Sequence, residues 1–314
     1  NKNLWVATSR GLFRQNHQKS LVQLAYLPAG IENKFPDIRM DDVFVSDGKI
    51  YAAMRGSGGM FIFNKGTLQP ERQVRYPGKE YENTVRSISP IGNNDLLLST
   101  NGNLVVFNKH KQTLTQFFPP GWTDGDWAHD LYKDRNGHIW ISSSSIYKYD
   151  PFAKSFDVIA GHPKLLSISF VITQDTSGNM WMAGHGLARY NMASDSFDLF
   201  LDSFPFIKMP DKQVNAVIVD SYNRLWFNSN NNGLTAYDIN KKTFRHFTKK
   251  DRLPDDNIGA LNIVNNKLWI ACYSGIACMD LKTSQITSFG KEHGFPDMPI
   301  ESGARIFYDK NSKH

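Results

Sequence analysis

Two tryptophans and one arginine are the residues whose types best suit the recognition of a ligand. Trp122 and Trp127 lie in the loop segment FPPGWTDGDWAHD, and an indole offers a flat apolar face on which a sugar ring can stack. Arg55 lies in the glycine-rich segment MRGSGGM, and a guanidinium can donate a pair of hydrogen bonds to a carboxylate or sulfate. Each has a structural alternative, because the tryptophans could plug a seam between sheets and Arg55 could be a solvated surface residue.

Three more residues are expected in turns that follow short apolar segments: His185, Asn231 and Tyr273. Loops and turns carry binding residues on a rigid scaffold. The predicted ligand-binding set is therefore Arg55, Trp122, Trp127, His185, Asn231 and Tyr273. An ordinary turn residue remains the alternative for His185.

Motifs of known catalytic and metal sites are absent. The sequence contains no GxSxG, HExxH or Walker glycine pattern. The segment DRNGH (134–138) begins like a calcium loop but lacks the remaining ligands and the closing glutamate, so a hairpin turn is favoured. Cys272 and Cys278 flank one turn, and two buried thiols are favoured over a bridge. We expect no enzyme activity, no cofactor and no metal in this chain.

Seven short segments recur along the chain. Each has an apolar anchor at its second position, and the anchors are 41 to 46 residues apart: Trp5, Tyr51, Leu97, Trp140, Trp181, Trp226 and Trp269. Each repeat holds four short apolar runs separated by Gly, Asn, Asp and Ser turns, which indicates four strands. Seven repeats of this kind predict an all-β fold, a seven-bladed β-propeller of four-stranded antiparallel blades. The four anchors Trp140, Trp181, Trp226 and Trp269 are expected to be buried between blades.

The two ends of the chain complement each other. The sequence starts with what reads as the second strand of a repeat, and the segment ARIFYDKNSKH at the other end matches a first strand and its turn. We therefore expect residues 304–309 to pair with residues 4–8, closing the ring within a single domain of residues 1–314. A first strand of a further repeat is the alternative.

Composition limits the possible partners. The chain has 314 residues with 36 basic and 30 acidic side chains, and no run of Lys or Arg exceeds two, so no nucleic-acid partner is expected. No run of eighteen apolar residues and no basic-then-apolar leader occurs, so we expect no signal peptide and no direct membrane insertion by this segment.

The repeats also resemble a known family. The segment DRLPDDNIGALNIVNNKLWIACYSGIACMD (251–280), with DSYNRLWFNSNNNGLTAYD and DTSGNMWMAGHGLARYN, is similar to the two-component-regulator propeller repeat. That resemblance implies the periplasmic sensor region of a Bacteroidetes-type hybrid two-component histidine kinase, which is an inner-membrane receptor. It implies detection of poly- or oligosaccharides, regulation of the genes for their use, and an adjoining propeller and β-sandwich as partners. The alternatives are a propeller lyase or hydrolase that acts on the loop face, and a pure protein-interaction platform.

Overall fold

The computed structural model describes eleven stretches of the chain: residues 3–8, 11–15, 22–25, 27–35, 37–123, 126–159, 171–200, 213–229, 231–290, 300 and 305–309. The chain divides into two compact units. Unit 1 is Asn1–Val158 with Ala304–His314, and unit 2 is Ile159–Gly303.

Unit 1 contains four sheets of four antiparallel strands each within the described residues. Its helices are α1 (Ile31–Lys34) and a 3-10 turn at Glu80–Asn83. The strands are β1 (Asn3–Thr8), β2 (Gly11–Gln15), β3 (Val22–Ala25), β4 (Arg39–Ser46), β5 (Lys49–Arg55), β6 (Gly59–Asn64), β7 (Pro70–Val74), β8 (Val85–Ile91), β9 (Asp95–Thr100), β10 (Leu104–Asn108), β11 (Thr113–Phe117), β12 (Asp130–Lys133), β13 (Ile139–Ser142), β14 (Ile146–Asp150), β15 (Ser155–Ile159) and, from the end of the chain, β28 (Arg305–Asp309).

Unit 2 contains three such sheets in its described part, with a 3-10 turn at Lys249–Asp251. Its strands are β16 (Val171–Gln174), β17 (Met180–Gly184), β18 (Gly186–Asn191), β19 (Ser196–Leu199), β20 (Val217–Val219), β21 (Arg224–Asn228), β22 (Leu234–Asp238), β23 (Thr243–Phe247), β24 (Ile258–Val264), β25 (Lys267–Cys272), β26 (Gly275–Asp280) and β27 (Ile286–Phe289). No helix in the described stretches has the length and apolar character needed to cross a membrane.

Consecutive strands form six of these sheets, and the seventh takes its first strand from the other end of the chain. There β28 pairs with β1, so that Phe307 lies opposite Trp5 and Arg305 opposite Ala7. The predicted all-β fold of four-stranded antiparallel propeller blades is confirmed, and the predicted pairing of the C-terminal strand is present. A single closed ring of seven blades and a single domain over residues 1–314 stay predictions.

Within each unit the anchor of one sheet packs onto the next sheet. Trp5 contributes to a core cluster with Met40 and Ile50 of the following sheet, and Tyr51 in turn packs with Val85 and Leu98. In unit 2, Trp181 packs with Leu225 and Phe227, and Trp226 packs with Leu268 and Ile270. Strands that are buried on both faces need no alternation of polar and apolar residues, which explains apolar runs such as MWMAG.

Three of the tryptophan anchors are also held by a hydrogen bond from the indole. In each case a buried aspartate six residues earlier accepts it, at 2.9, 3.1 and 2.8 Å for the pairs Trp140–Asp134, Trp181–Asp175 and Trp226–Asp220. The other carboxylate oxygen accepts two amides of the hairpin turn, as Asp175 does from Ser177 and Asn179. The aspartate thus satisfies a buried indole N–H and shapes the turn at the same time.

Trp269 departs from this pattern and from the expectation of full burial. It is half-buried and stacks on Phe289 at a centroid distance of 6.0 Å. Its hairpin turn consists of Asn265 and Asn266, which both have positive φ values of 49° and 60°. Because this turn is shorter, the residue six positions before Trp269 is Ile263, and among the described residues no carboxylate accepts a hydrogen bond from the Trp269 indole.

Candidate functional site

Two β-bulges of unit 1 lie near the beginning of β4 and of β8, which are the first, innermost strands of their sheets. The pairing of β4 with β5 shifts between Met40 and Asp42, and that of β8 with β9 shifts between Val85 and Ser87. The residues skipped by the register are Asp41 and Arg86. A bulge leaves one residue out of the ladder and re-aims its side chain, and bulges are frequent beside functional sites.

Asp41 lies beside two arginines. Arg55, the last residue of β5, pairs across the strands with Arg39, the first residue of β4. Its Nε donates to Asp41 Oδ2 at 2.7 Å, while Asp41 is only 7% exposed. Among the described residues no acceptor meets the two Nη groups of Arg55, so these groups can donate to a ligand.

Glycines allow the turn after Arg55 to approach its neighbours closely. A Cβ on Gly56 would lie 2.5 Å from the backbone of Asp37, and one on Gly59 would lie 2.2 Å from the carbonyl of Val74. The amide of Ser57 in the same turn donates to Thr84 Oγ1 at 3.2 Å, which ties the turn to the next sheet. The glycine-rich segment therefore fixes the backbone that carries Arg55.

Arg86 and Trp127 complete the group. Arg86 Nε donates to Asn101 Oδ1 at 3.0 Å, and its guanidinium lies 5.6 Å from the ring centroid of Trp127. Trp127 forms an isolated bridge with Asn101 and is 43% exposed, and its ring lies 6.4 Å from that of His129. We call Arg39, Asp41, Arg55, Arg86, Trp127 and His129 the arginine–tryptophan cluster.

The electrostatic potential of this cluster is positive. Burial and the charges of Arg86 and Arg55 lower the pKa of His129 to about 4, so the imidazole is neutral near pH 7. Burial, together with the charge of Arg55, lowers the pKa of Arg86. Burial also raises the pKa of Asp41, although Arg55 opposes this effect. The guanidinium groups of Arg55 and Arg86 stand against the single carboxylate of Asp41, which leaves one excess positive charge, a favourable environment for an anion.

A second polar group joins the innermost strands of the four sheets of unit 1. Arg305 Nη2 donates to Asp130 Oδ1 at 2.7 Å, and the Ser87 hydroxyl lies 3.1 Å from Asp42 Oδ2 and 3.4 Å from Asp130 Oδ1. The amide of Ile88 also donates to Asp42 Oδ2, at 2.8 Å. We call Arg305, Asp42, Ser87 and Asp130 the inner-strand network.

Burial governs the titration of this network. It raises the pKa of Asp42 to about 6, although Arg305 opposes the shift. Burial alone would lower the pKa of Arg305, but the carboxylates of Asp130, Asp42 and Asp41 outweigh it and raise that pKa. The C-terminal strand is thereby joined by charge to the innermost strands of its own unit.

The six predicted ligand-binding residues are divided between the two units. Arg55 and Trp127 belong to the arginine–tryptophan cluster. Trp122 is half-buried, donates its indole N–H to the carbonyl of Gly102 at 3.0 Å, and packs 5.6 Å from the ring of Tyr147. Trp122 therefore serves the packing of two sheets, and of the two tryptophans Trp127 has the better exposed ring.

His185, Asn231 and Tyr273 lie in unit 2, each in the turn between the second and third strands of a different sheet. His185 is exposed between β17 and β18, and Asn231 is exposed with φ 50° between β21 and β22. Tyr273 is 45% exposed after β25. Their role in ligand binding stays a prediction.

The described residues contain no group of three or more His, Cys, Asp or Glu side chains that could hold a metal ion. Cys272 and Cys278 are free thiols and both are buried. In the paired strands Cys272 lies opposite Gly275 and Cys278 opposite Trp269, so the two cysteines are not cross-strand neighbours. The chemistry that the cluster supports is stacking on an indole and hydrogen bonding from guanidinium groups.

Sequence reasoning missed most of the charged residues of both groups. Asp42, Ser87, Asp130 and Arg305 lie opposite Ala53, Ser99, Ser142 and Ala7, which are the fourth residues of the anchor segments IYAAM, LLLST, IWISS and LWVAT. In unit 2 the same register position is held by apolar residues, Val171 opposite Ala183 and Ala260 opposite Ala271. An alignment of the innermost strands on that position would have identified the network.

Comparison with known proteins gives structural neighbours only, since no family model and no curated protein matches the chain. The extracellular domain of BT4673 from B. thetaiotaomicron aligns with a TM-score of 0.62 and 14% identity. That domain is assigned to a one-component system in one structure and to a hybrid two-component system in another. The alignment covers 91% of this chain and 44% of that one, so this chain spans less than half of the BT4673 domain.

Two other neighbours differ in kind. YCF48 bound to D1 peptide aligns with a TM-score of 0.61 and 11% identity, over 85% of this chain and 92% of that one. The extracellular domain of the hybrid two-component system BT3049 from B. thetaiotaomicron aligns with a TM-score of 0.47 and 15% identity, over 95% of this chain and 57% of that one. At these identities the likeness shows the fold. The neighbours include the class of protein whose repeats this sequence resembles.

Proposed function

We propose that this chain is a periplasmic sensor propeller of a hybrid two-component system, which detects a poly- or oligosaccharide and regulates the genes for its use. The likeness to the extracellular domains of such systems supports the class of protein. The observation that carries the ligand assignment is the arginine–tryptophan cluster. In it the exposed indole of Trp127 lies beside the guanidinium of Arg86, and the Nη atoms of Arg55 and Arg86 have no protein acceptor among the described residues.

The cluster favours an acidic sugar over a neutral one. A sugar ring stacks its C–H face on the exposed ring of Trp127. A carboxylate or sulfate on the same sugar accepts hydrogen bonds from Arg55 and Arg86, and charge-assisted bonds of this kind are about twice as strong as neutral ones. Asp41 holds Arg55 in place by accepting a hydrogen bond from its Nε. The two Nη groups of Arg55 then remain available to donate to the ligand.

A lyase or hydrolase is a weaker explanation of the same residues. A general base works best when its pKa lies near the operating pH. His129 is the imidazole of the cluster, and its pKa of about 4 makes it a weak base at neutral pH. Any kinase activity would belong to a different part of the parent protein.

The proposal includes the architecture and the partners that go with a sensor. The seven sheets would form one closed ring, with the blade of β28 and β1 shared between the two ends. An adjoining propeller and a β-sandwich of the same parent chain would be the partners. The BT4673 domain supports this, because 44% coverage leaves more than half of its length beyond the part that this chain matches.

A thermal-shift screen of defined neutral and acidic oligosaccharides tests the proposal. A ligand at about a hundred times its Kd stabilises the folded state by about 2.7 kcal/mol, which raises the unfolding temperature by about 3–6 °C for a chain of this size. We expect an acidic oligosaccharide to produce this shift, and we expect Arg55→Ala and Trp127→Ala each to reduce it by about half or more, because a tenfold rise in Kd lowers the stabilisation to about 1.4 kcal/mol. Added salt should weaken the response to an acidic sugar.

A protein-interaction platform is the second candidate, and YCF48 with its bound peptide supports it as a neighbour of similar fold. That function would be favoured if no oligosaccharide of the screen raised the unfolding temperature and a peptide did. If an oligosaccharide still raised the unfolding temperature of Arg55→Ala, Trp122→Ala and Trp127→Ala by the same amount, the saccharide site would have to lie on another surface.

A further inference from the structure

An open groove lies at the outer edge of unit 2, between the sheet of β20–β23 and the sheet of β24–β27. It has a volume of about 500 Å³ and is lined by the end of β23, the 3-10 turn that follows it, and the segment Ser284–Thr287. Pockets of about 300–1,000 Å³ are typical of small-molecule sites. We call this feature the outer groove.

The lining of the outer groove carries three cations. Arg245, Lys250 and Arg252 form no ion pair with any acidic side chain among the described residues, whereas Arg189 and Arg224 of the same unit pair with Asp198 and Asp220. Asp251 also lines the groove, but its Oδ2 already accepts the amide of Thr248 at 2.9 Å. Two positive charges are therefore in excess.

The backbone and neighbouring side chains hold two of these cations in place. The guanidinium of Arg245 lies 4.6 Å from the ring centroid of Phe247 and donates through Nη1 to Ser284 Oγ at 3.2 Å. Arg252 has a φ of 73°, a left-handed conformation that glycine adopts more readily than arginine. Its carbonyl accepts the Ser288 hydroxyl and its amide donates to Lys249 O at 3.1 Å, so the strained residue is tied at both sides.

We propose that the outer groove binds a sulfate or phosphate monoester of a small molecule. A tetrahedral dianion matches the excess of two charges, and the remaining N–H groups of Arg245 and Arg252 with the ammonium of Lys250 supply charge-assisted donors. Thr287 belongs to the same lining, and its hydroxyl can add a neutral hydrogen bond. The volume leaves room for the group that carries the ester. This site is separate from the arginine–tryptophan cluster and does not depend on the saccharide proposal.

The chain offers a matched pair of variants for the test. Arg252→Gly and Lys242→Gly each remove one positive charge from a residue of unit 2 with positive φ, 73° and 56° respectively. Lys242 lies in the turn before β23 and outside the groove lining. Since glycine relaxes the backbone at both positions, neither variant should lower the unfolding temperature of the unliganded protein.

The measurement is calorimetric titration with glucose 6-sulfate, glucose 6-phosphate and glucose of the 314-residue chain, which carries Arg55→Ala and Trp127→Ala so that the arginine–tryptophan cluster contributes no heat and is otherwise unchanged. We expect both esters to bind at low salt and glucose to give no heat. Arg252→Gly should weaken ester binding at least tenfold, while Lys242→Gly should stay within about twofold of the unchanged protein.

Equal weakening in the two variants would show a general effect of net charge and overturn the assignment, as would the absence of binding by both esters. Flotation with phosphatidylglycerol vesicles distinguishes the ester of a small molecule from the phosphate of a lipid headgroup. Vesicle binding that Arg252→Gly abolishes, without binding of either ester, would assign the groove to a membrane surface instead. Failure here leaves the arginine–tryptophan cluster untouched, because Arg55 and Trp127 belong to unit 1.

Discussion

Replacing Asp175 with alanine tests the aspartate–tryptophan hydrogen bond that three sheets share. Asp175 is 1% exposed and accepts the Trp181 indole at 3.1 Å and the amides of Ser177 and Asn179 at 3.0 and 2.9 Å. Removing the carboxylate leaves a buried indole N–H without its acceptor, which costs about 1–3 kcal/mol. The two turn amides are closer to water and add about 0.5–1 kcal/mol each. We expect the free energy of unfolding to fall by about 3 kcal/mol in Asp175→Ala.

Urea unfolding followed by tryptophan fluorescence measures this loss, and Asp280→Ala is the matched control. Asp280 also accepts two turn amides, from Lys282 and Thr283 at 2.9 Å each, but it is the half-buried last residue of β26 and no indole of the described residues donates to it. The control should lose less than half as much stability as Asp175→Ala. Equal losses in the two variants, or a loss below about 1 kcal/mol in Asp175→Ala, would refute the role of the buried indole.

Three further predictions concern titratable groups. Because burial raises the pKa of Asp42 to about 6, the folded state binds its proton more tightly than the unfolded chain does, and stability from this group falls as pH rises from about 4 to 6. Asp42→Asn should reduce this pH-dependent loss in the free energy of unfolding by at most about 3 kcal/mol. Urea unfolding at several pH values measures it, and the same pH dependence in the variant and the unchanged protein would contradict the prediction. The imidazole of His129 should titrate near pH 4 by NMR, and a midpoint of 6 or above would show that burial and the two arginines do not lower its pKa. Burial raises the pKa of Cys272 to about 12 and also raises that of Cys278, so neither thiol should react with a thiol reagent at pH 8 until the protein unfolds.

The sequence was sufficient to predict the sheets because their signal repeats. An anchor every 41 to 46 residues, with turn residues at fixed offsets, predicts strands whose pairing is local and therefore needs little other information. The pairing of β28 with β1 was predictable for the same reason, since the two end segments complete one repeat. Trp269 was the exception among the four tryptophans expected to be buried, because a turn shorter by one residue removes the aspartate that Trp140, Trp181 and Trp226 use.

The candidate site was predictable only in part. Arg55 and Trp127 stand out by residue type, but Asp41 and Arg86 reach the cluster through β-bulges, and a bulge is a change of register that single-sequence patterns do not show. Trp122 had the same sequence signal as Trp127. Its packing role depends on a contact with Tyr147 of another sheet, and such contacts follow from the tertiary arrangement.

Calorimetric titration of an acidic oligosaccharide from the thermal-shift screen, against Trp127→Ala and Phe152→Ala, tests the central claim most directly. Both variants remove an exposed aromatic ring of unit 1, 43% exposed at Trp127 and 88% exposed at Phe152, but Phe152 lies in the turn between β14 and β15, outside the arginine–tryptophan cluster. An indole face that covers about 60 Å² of apolar sugar surface contributes about 1.5 kcal/mol at about 25 cal/mol per Å², so the account predicts a Kd raised about tenfold or more in Trp127→Ala and unchanged in Phe152→Ala. An equal Kd in the two variants would contradict a saccharide site at the arginine–tryptophan cluster.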